Sequence, residues 1–284
     1  MSSLTEGERW TRNQLRRLRA RRFSRSAIGA FLRASHRRAR ETRRARPVLA
    51  RQARRWIAAG AAAWPVQALI IGAAGIFSES KGDVIARARR GLAWWLLCGL
   101  MLDWHLGMVE TVDGDPRELG AADALTLARA WLAPIAWQRP RALSCLIAGL
   151  TDALDGELAR RAEPTRAGRD LEGLVDACFA SAALRGAWRA DLIARPALAA
   201  EGLRLSTGMA YGVLSYFLDT SPPKPAITRA ARALSPLRSC GLIAAAVGHR
   251  RSASTLLGGG ALASSGLTAI ALRNRAPKDG RPRG

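Results

Sequence analysis

The sequence predicts an all-α integral membrane protein carrying a basic N-terminal arm. Three observations lead there. The 284-residue chain combines a 49% hydrophobic fraction with a formal net charge of +23, so its mean hydropathy of −0.03 averages very apolar stretches with very basic ones. Trp56 to Phe77 and Ser252 to Leu272 are runs of 22 and 21 uncharged residues, each enough to cross a hydrocarbon core of roughly 30 Å. The charge gathers at the ends, with eighteen arginines against three acids in residues 1–55 and Arg273, Arg275, Lys278, Arg281 and Arg283 in the tail. Cytoplasmic parts of membrane proteins carry this bias.

Taken in order, the arm interleaves Trp10, Phe23 and Phe31 with its arginines. It is expected to be partly helical or disordered on an anionic inner membrane surface, where each basic residue contributes about 1 kcal/mol. Nucleic acid is the less favoured partner, because no reader motif accompanies the charge. Arg21-Arg22-Phe23-Ser24-Arg25 has the look of a twin-arginine signal, but the apolar stretch after it ends at Arg33, too short for one.

Eight apolar segments follow. Trp56–Phe77 contains Pro65, which a membrane helix tolerates. Gly91–Val109 is interrupted by Asp103 and His105, and Ala124–Trp137 holds Arg129. Ala142–Leu158 carries Asp152 and Asp155 toward its end, while Leu171–Trp188 opens with Glu172 and Asp176. Ala197–Leu218 precedes the breaker Pro222-Pro223, Leu237–Val247 is short, and Ser252–Leu272 is uncharged. Lone charges in such segments face a polar cavity or a partner rather than lipid. After eight crossings both basic termini fall on the cytoplasmic side. Two connections fit less well: 110–123 is acidic yet cytoplasmic, a mild mismatch because acids contribute little to orientation, and 78–90 is basic yet outside. The second leaves open that 56–77 and 91–109 form an interfacial or re-entrant hairpin.

Several chemistries find little support. Cys98, Cys145, Cys178 and Cys240 stand far apart without zinc spacing, and the three histidines are dispersed, so no nucleophilic triad is visible. Asp113-Gly114-Asp115 lacks the closing acid of a calcium loop and reads as a solvated turn.

The chemistry concentrates in Asp152–Asp176. Asp152 and Asp155 are three residues apart, Glu172 and Asp176 four apart. On helices, each pair projects from one face. Two facing pairs make an oxygen-rich cage suited to Mg²⁺ or Mn²⁺, with coordination positions left for phosphate oxygens.

This stretch resembles the signature of the CDP-alcohol phosphatidyltransferase family, DxxDGxxAR followed by GxxxDxxxD. The chain supplies Asp152, Asp155, Gly156, Ala159 and Arg160, then Gly168, Glu172 and Asp176. It departs twice: seven residues instead of eight separate Arg160 from Gly168, and Glu172 stands where an Asp is expected. Upstream, the run from Asp123 through Leu125, Thr126 and Arg129 to Pro134 is similar to the family's first membrane helix.

The resemblance implies a six-helix core at 123–273, preceded by two additional hydrophobic segments at 56–109 and the arm at 1–55, and followed by a basic tail at 274–284. It implies a divalent-metal-dependent transfer of a phosphatidyl-type group from a CDP-activated lipid to an alcohol, with release of CMP. Asp152, Asp155, Glu172 and Asp176 match the metal ligands, and Asp176 also matches the general base. Gly156, Ala159, Arg160 and Gly168 match the nucleotide-binding positions. Arg129 and Arg238, within or beside predicted spans, are candidates for binding a phosphorylated alcohol acceptor. The implied partners are CDP-lipid, acceptor and anionic membrane lipids, with a homodimer left open. The implied location is a bacterial plasma membrane, with the site on the cytoplasmic face. Two other readings stay open: a family-derived scaffold that has lost catalysis, motivated by Glu172 and the short loop, and a membrane-tethered basic binding protein.

Overall fold

Apolar runs of this length favour the helix, the one local structure that satisfies every backbone hydrogen bond within its own segment. The computed structural model describes residues 5–74, 81–111, 113–161, 165–218, 229–231 and 233–273, with backbone alone at 71–74, 81, 155–161, 169–170 and 215–218. Among them there is no strand, only an isolated bridge between Glu110 and Pro116. The long helices are α1 (Glu6–Ala20), α2 (Arg25–Ala45), α3 (Pro47–Ala74), α4 (Lys81–His105), α5 (Ala121–Gln138), α6 (Ala142–Arg161), α7 (Arg166–Arg189), α8 (Arg195–Leu218), α9 (Ser235–Ala246) and α10 (Arg250–Arg273).

Each of the eight apolar segments coincides with one of α3–α10, the last residues of the first segment lying outside the described ones. The helices overrun the apolar limits at several ends because arginine and lysine propagate a helix almost as well as alanine. Thus α3 starts at Pro47, whose fixed φ suits a first helical position, and runs through Arg51, Arg54 and Arg55 into the apolar run. Among the described residues one helix, α10, is long and apolar enough to cross a membrane, and Ala142–Leu154 of α6 is a shorter apolar stretch.

The chain divides into two compact units, Met1–Ile135 with Leu150–Phe179, and Ala136–Gly149 with Ala180–Gly284. In the first, α3 and α4 pack antiparallel, shown by the close approaches of 57 to 99, 60 to 95 and 64 to 91. Tryptophans knit this hairpin to itself and to α5. Trp95 donates its indole N–H to the Ile57 carbonyl at 2.7 Å, Trp94 to Ala130 at 2.8 Å and Trp131 to Gly60 at 3.1 Å. The Trp64 and Trp131 rings lie 4.6 Å apart. In the second unit, fully buried Glu201 on α8 accepts from Arg204 at 2.6 Å and from Arg238 on α9 at 3.3 Å.

From Thr5 onward the arm is helical and docked; of the two expectations, partly helical or disordered, this agrees with the helical one. A capping box between Thr5 and Glu8 starts α1. The buried Thr5 hydroxyl donates to buried Glu110 at 2.5 Å, and Glu8 pairs with Arg166 at the start of α7. Arg43 pairs with Asp103. Arg46 donates to the carbonyls of Val109 (2.9 Å) and Arg117; burial pulls its pKa down, while Glu110 and Glu118 push it up. The arm therefore engages the acidic connection after α4 through Glu110 and Glu118. Within it, Asp113 and Asp115 are exposed around the turn at Gly114.

The hairpin makes a graded prediction. A Cβ on Gly91 would fall 2.4 Å from the ring of fully buried Trp64, whereas one on Gly99 would meet the movable Ile57 side chain at 2.9 Å. Gly91→Ala is expected to lower thermal stability in detergent by about 1–3 kcal/mol, and Gly99→Ala by clearly less. Equal losses would contradict this packing.

Candidate functional site

Two helix starts meet near the site. Asp123, in the first turn of α5, accepts the Gly120 N–H at 2.8 Å and also bonds the Thr165 hydroxyl. Thr165 caps α7 by accepting the Gly168 N–H at 3.0 Å. A Cβ on Gly168 would lie 2.9 Å from Thr165 Oγ1 and 3.1 Å from Asp123 Oδ1, so the residue must be small. Arg166 follows, its N–H donating to the Glu110 carbonyl at 3.1 Å.

One to three turns into α7 stand Glu172 and Asp176, on one face, and Asp152 comes from α6. Each offers a carboxylate oxygen, and the three oxygens lie within 4.8 Å of one another, with all three residues partly buried. Hard oxygen donors this close suit a divalent cation such as Mg²⁺ or Mn²⁺. Asp155, Gly156, Ala159 and Arg160 stand on the helical backbone of α6, and their side chains lie outside the described residues.

Arg129 of α5 reaches into the cluster. Its side chain is 2% exposed and bonds Asp152 at 2.8 Å and also Asp176, which are 29% and 40% exposed. Sequence reasoning assigned Arg129 to an acceptor phosphate; the structure places it on two of the candidate metal ligands. The signal was available, since an arginine inside an apolar helix needs an anionic partner, and the carboxylates at 152–176 were among the candidates. Arg238, the other acceptor candidate, lies in the second unit against Glu201 with its side chain 24% exposed.

An apolar cavity of about 250 Å³ adjoins this region of the first unit. Trp94, Leu97 and Met101 of α4 form one wall, Leu127 and Ala130 of α5 and Leu171 and Val175 of α7 others, and Asp123, Thr126 and Gly168 are among its lining. The sequence offered no signal for it, because α4 lies outside the motif-bearing segment.

Residues 120–258 match the family model described as CDP-alcohol phosphatidyltransferase, so the resemblance read from the motifs is borne out over that segment. Comparison with curated proteins and with solved structures returns no match.

Removing Arg129 leaves carboxylates facing one another across α6 and α7. Arg129→Met is expected to destabilise the protein by roughly 1–3 kcal/mol, less than breaking a fully buried ion pair because the carboxylates left behind keep part of their contact with solvent. Millimolar Mg²⁺ should restore part of the lost melting temperature. A variant that melts like the wild type would show that Arg129 does not brace the cluster.

Proposed function

We propose that this chain is a membrane phosphotransferase that moves a phosphatidyl-type group from a CDP-activated lipid, such as CDP-diacylglycerol, to an alcohol. The observation that carries the reading is the convergence of Asp152, Glu172 and Asp176 within the segment that matches the family model. In this reading Asp152, Asp155 and Glu172 hold one or two divalent ions, with Asp176 sharing one of them. The bound ion supplies charge neutralisation on the phosphoryl and leaving oxygens.

The remaining work falls to side chains. Arg129 orients Asp152 and Asp176, and Asp176 takes the proton of the entering hydroxyl. The alcohol oxygen bonds to the lipid-side phosphorus, the bond to the CMP oxygen breaks, and CMP leaves with the electron pair. Gly156, Ala159, Arg160 and Gly168 receive the nucleotide. The apolar cavity beside Gly168 suits part of the donor's lipid. Leu143, Leu146, Leu150 and Leu154 expose an apolar stripe along α6, which suits a lipid surrounding.

The placement of Glu172 inside the oxygen cluster favours a working ligand over a lost one, and hence the enzyme over the scaffold. We assign the cytoplasmic face to the site and to both termini, with the arm against anionic lipid. Arg238 keeps the acceptor role for a phosphorylated alcohol, whereas Arg129 becomes a positioning residue.

Metal-dependent CMP release from CDP-diacylglycerol by the purified protein, measured over a panel of alcohols, tests the reaction. Asp176→Asn is expected to lower it by about 10²–10⁴-fold with an unchanged fold; wild-type rates would remove Asp176 from the base role. Arg238→Ala should raise the Michaelis constant for a phosphorylated acceptor and leave CDP-lipid dependence nearly unchanged. A panel in which only unphosphorylated alcohols react would refute the phosphate-binding role.

A further inference from the structure

Between α1 and α2 lies a cavity of about 500 Å³ that the transfer chemistry does not use. Arg17, Arg21, Arg37 and Arg38 line it together with Trp10 and Phe31, and Glu41 is the one acid of the lining. Arg38 is partly committed, 3.5 Å from Glu6 and stacked over Trp10 at 4.9 Å. Arg17, Arg21 and Arg37 are not: among the described residues they form no ion pair. Three guanidiniums gathered around one concavity repel each other, and a multivalent oxyanion relieves that repulsion by bidentate hydrogen bonds. The aromatic walls add an apolar contact that a bare ion would leave unused.

The rim supplies a second, independent observation. The α1–α2 turn places Arg22 and Phe23 at φ 48° and 55°, a left-handed backbone that side-chain-bearing residues seldom adopt. Strain of this kind collects at functional positions. It presents Phe23, 49% exposed, at the tip of the hairpin, and Ile28 and Leu32 are exposed one helical step from the lining residues Ala27 and Phe31. In an arm otherwise armoured with arginine, these exposed apolar groups beside a cationic cavity form the pattern of an interfacial helix, with an apolar edge for the acyl boundary and a basic one for headgroups.

We propose that the α1–α2 hairpin is a discrete binding site for the phosphate headgroup of an anionic lipid, with Arg17, Arg21 and Arg37 holding the phosphate and Phe23 seated among the acyl chains. The site deepens the reading of the arm as a membrane-surface element and is independent of whether the protein transfers phosphatidyl groups. It differs from a diffuse basic surface in one respect: position matters, and not only the number of charges.

The test uses the full chain, purified in neutral detergent and floated with vesicles of phosphatidylcholine, alone or containing phosphatidic acid. Two double variants remove the same charge. Arg17→Ala with Arg37→Ala empties the cavity lining; Arg33→Ala with Arg40→Ala strips exposed arginines of α2 outside it. The cavity pair is expected to lose at least tenfold in partitioning onto phosphatidic acid vesicles and the outside pair no more than about threefold, with binding to neutral vesicles equal. Phe23→Ser should also weaken partitioning. Equal losses in the two pairs would reduce the arm to a diffuse charge and overturn the site. Inorganic phosphate bound tightly by the cavity, with vesicle partitioning unchanged in the cavity pair, would overturn the lipid assignment. CMP release in detergent without anionic lipid, run alongside, reports on the transferase reading alone, so the two can fail separately.

Discussion

Three carboxylates brought within a few ångströms of one another in a partly buried setting repel, and cations relieve that repulsion; much of the first unit follows from that constraint. Arg129 meets part of it from α5, a third helix, and so ties α5 to both α6 and α7. For Arg129 to face the carboxylates, the neighbouring residues of α5 must face elsewhere. Ala130 and Trp131 do so, engaging Trp94, Gly60 and Trp64 of the α3–α4 hairpin. The tryptophan network thus fixes the rotation of α5, and that rotation aims the arginine. A hairpin outside the matched segment therefore contributes to the geometry of residues inside it.

Much of this was legible in the sequence, for reasons that also mark where legibility stops. Apolar runs located the helices because helix formation and burial in lipid both depend on long uncharged stretches. They misplaced several ends because a hydropathy window closes at the first arginines while the backbone ladder continues through them, as at Arg51–Arg55 in α3. Spacing showed that Glu172 and Asp176 share a face, a local property of one helix. Nothing local showed that Asp152 would meet them; the facing of the two pairs was a condition that spacing left open and the family resemblance supported. Arg129 was recognised as needing an anion but assigned to an external one, since a sequence does not display which buried charges are neighbours.

The acidic connection at 110–123 makes the same point from the other side. Read alone, its charge is a mild mismatch with a cytoplasmic placement, since acidic residues contribute little to orientation. In the fold, Glu110 takes the Thr5 hydroxyl, and Arg46 sits against the carbonyls of Val109 and Arg117 with Glu110 and Glu118 close enough to act on it. Glu110 and Glu118 thus act on the arm. Composition hid this because the partners lie far apart along the chain.

That separation bears on how the protein is assembled. Thr5 and Glu110 are 105 residues apart, and Glu8 joins Arg166 farther along still. On the ribosome, where N-terminal parts emerge and fold first, α1 and α2 appear before either of the groups that α1 grips. That helix is consequently seated only after residues made much later. Until α7 has been synthesised, Glu8 lacks the arginine it pairs with, so the docking of the arm is among the contacts that close late.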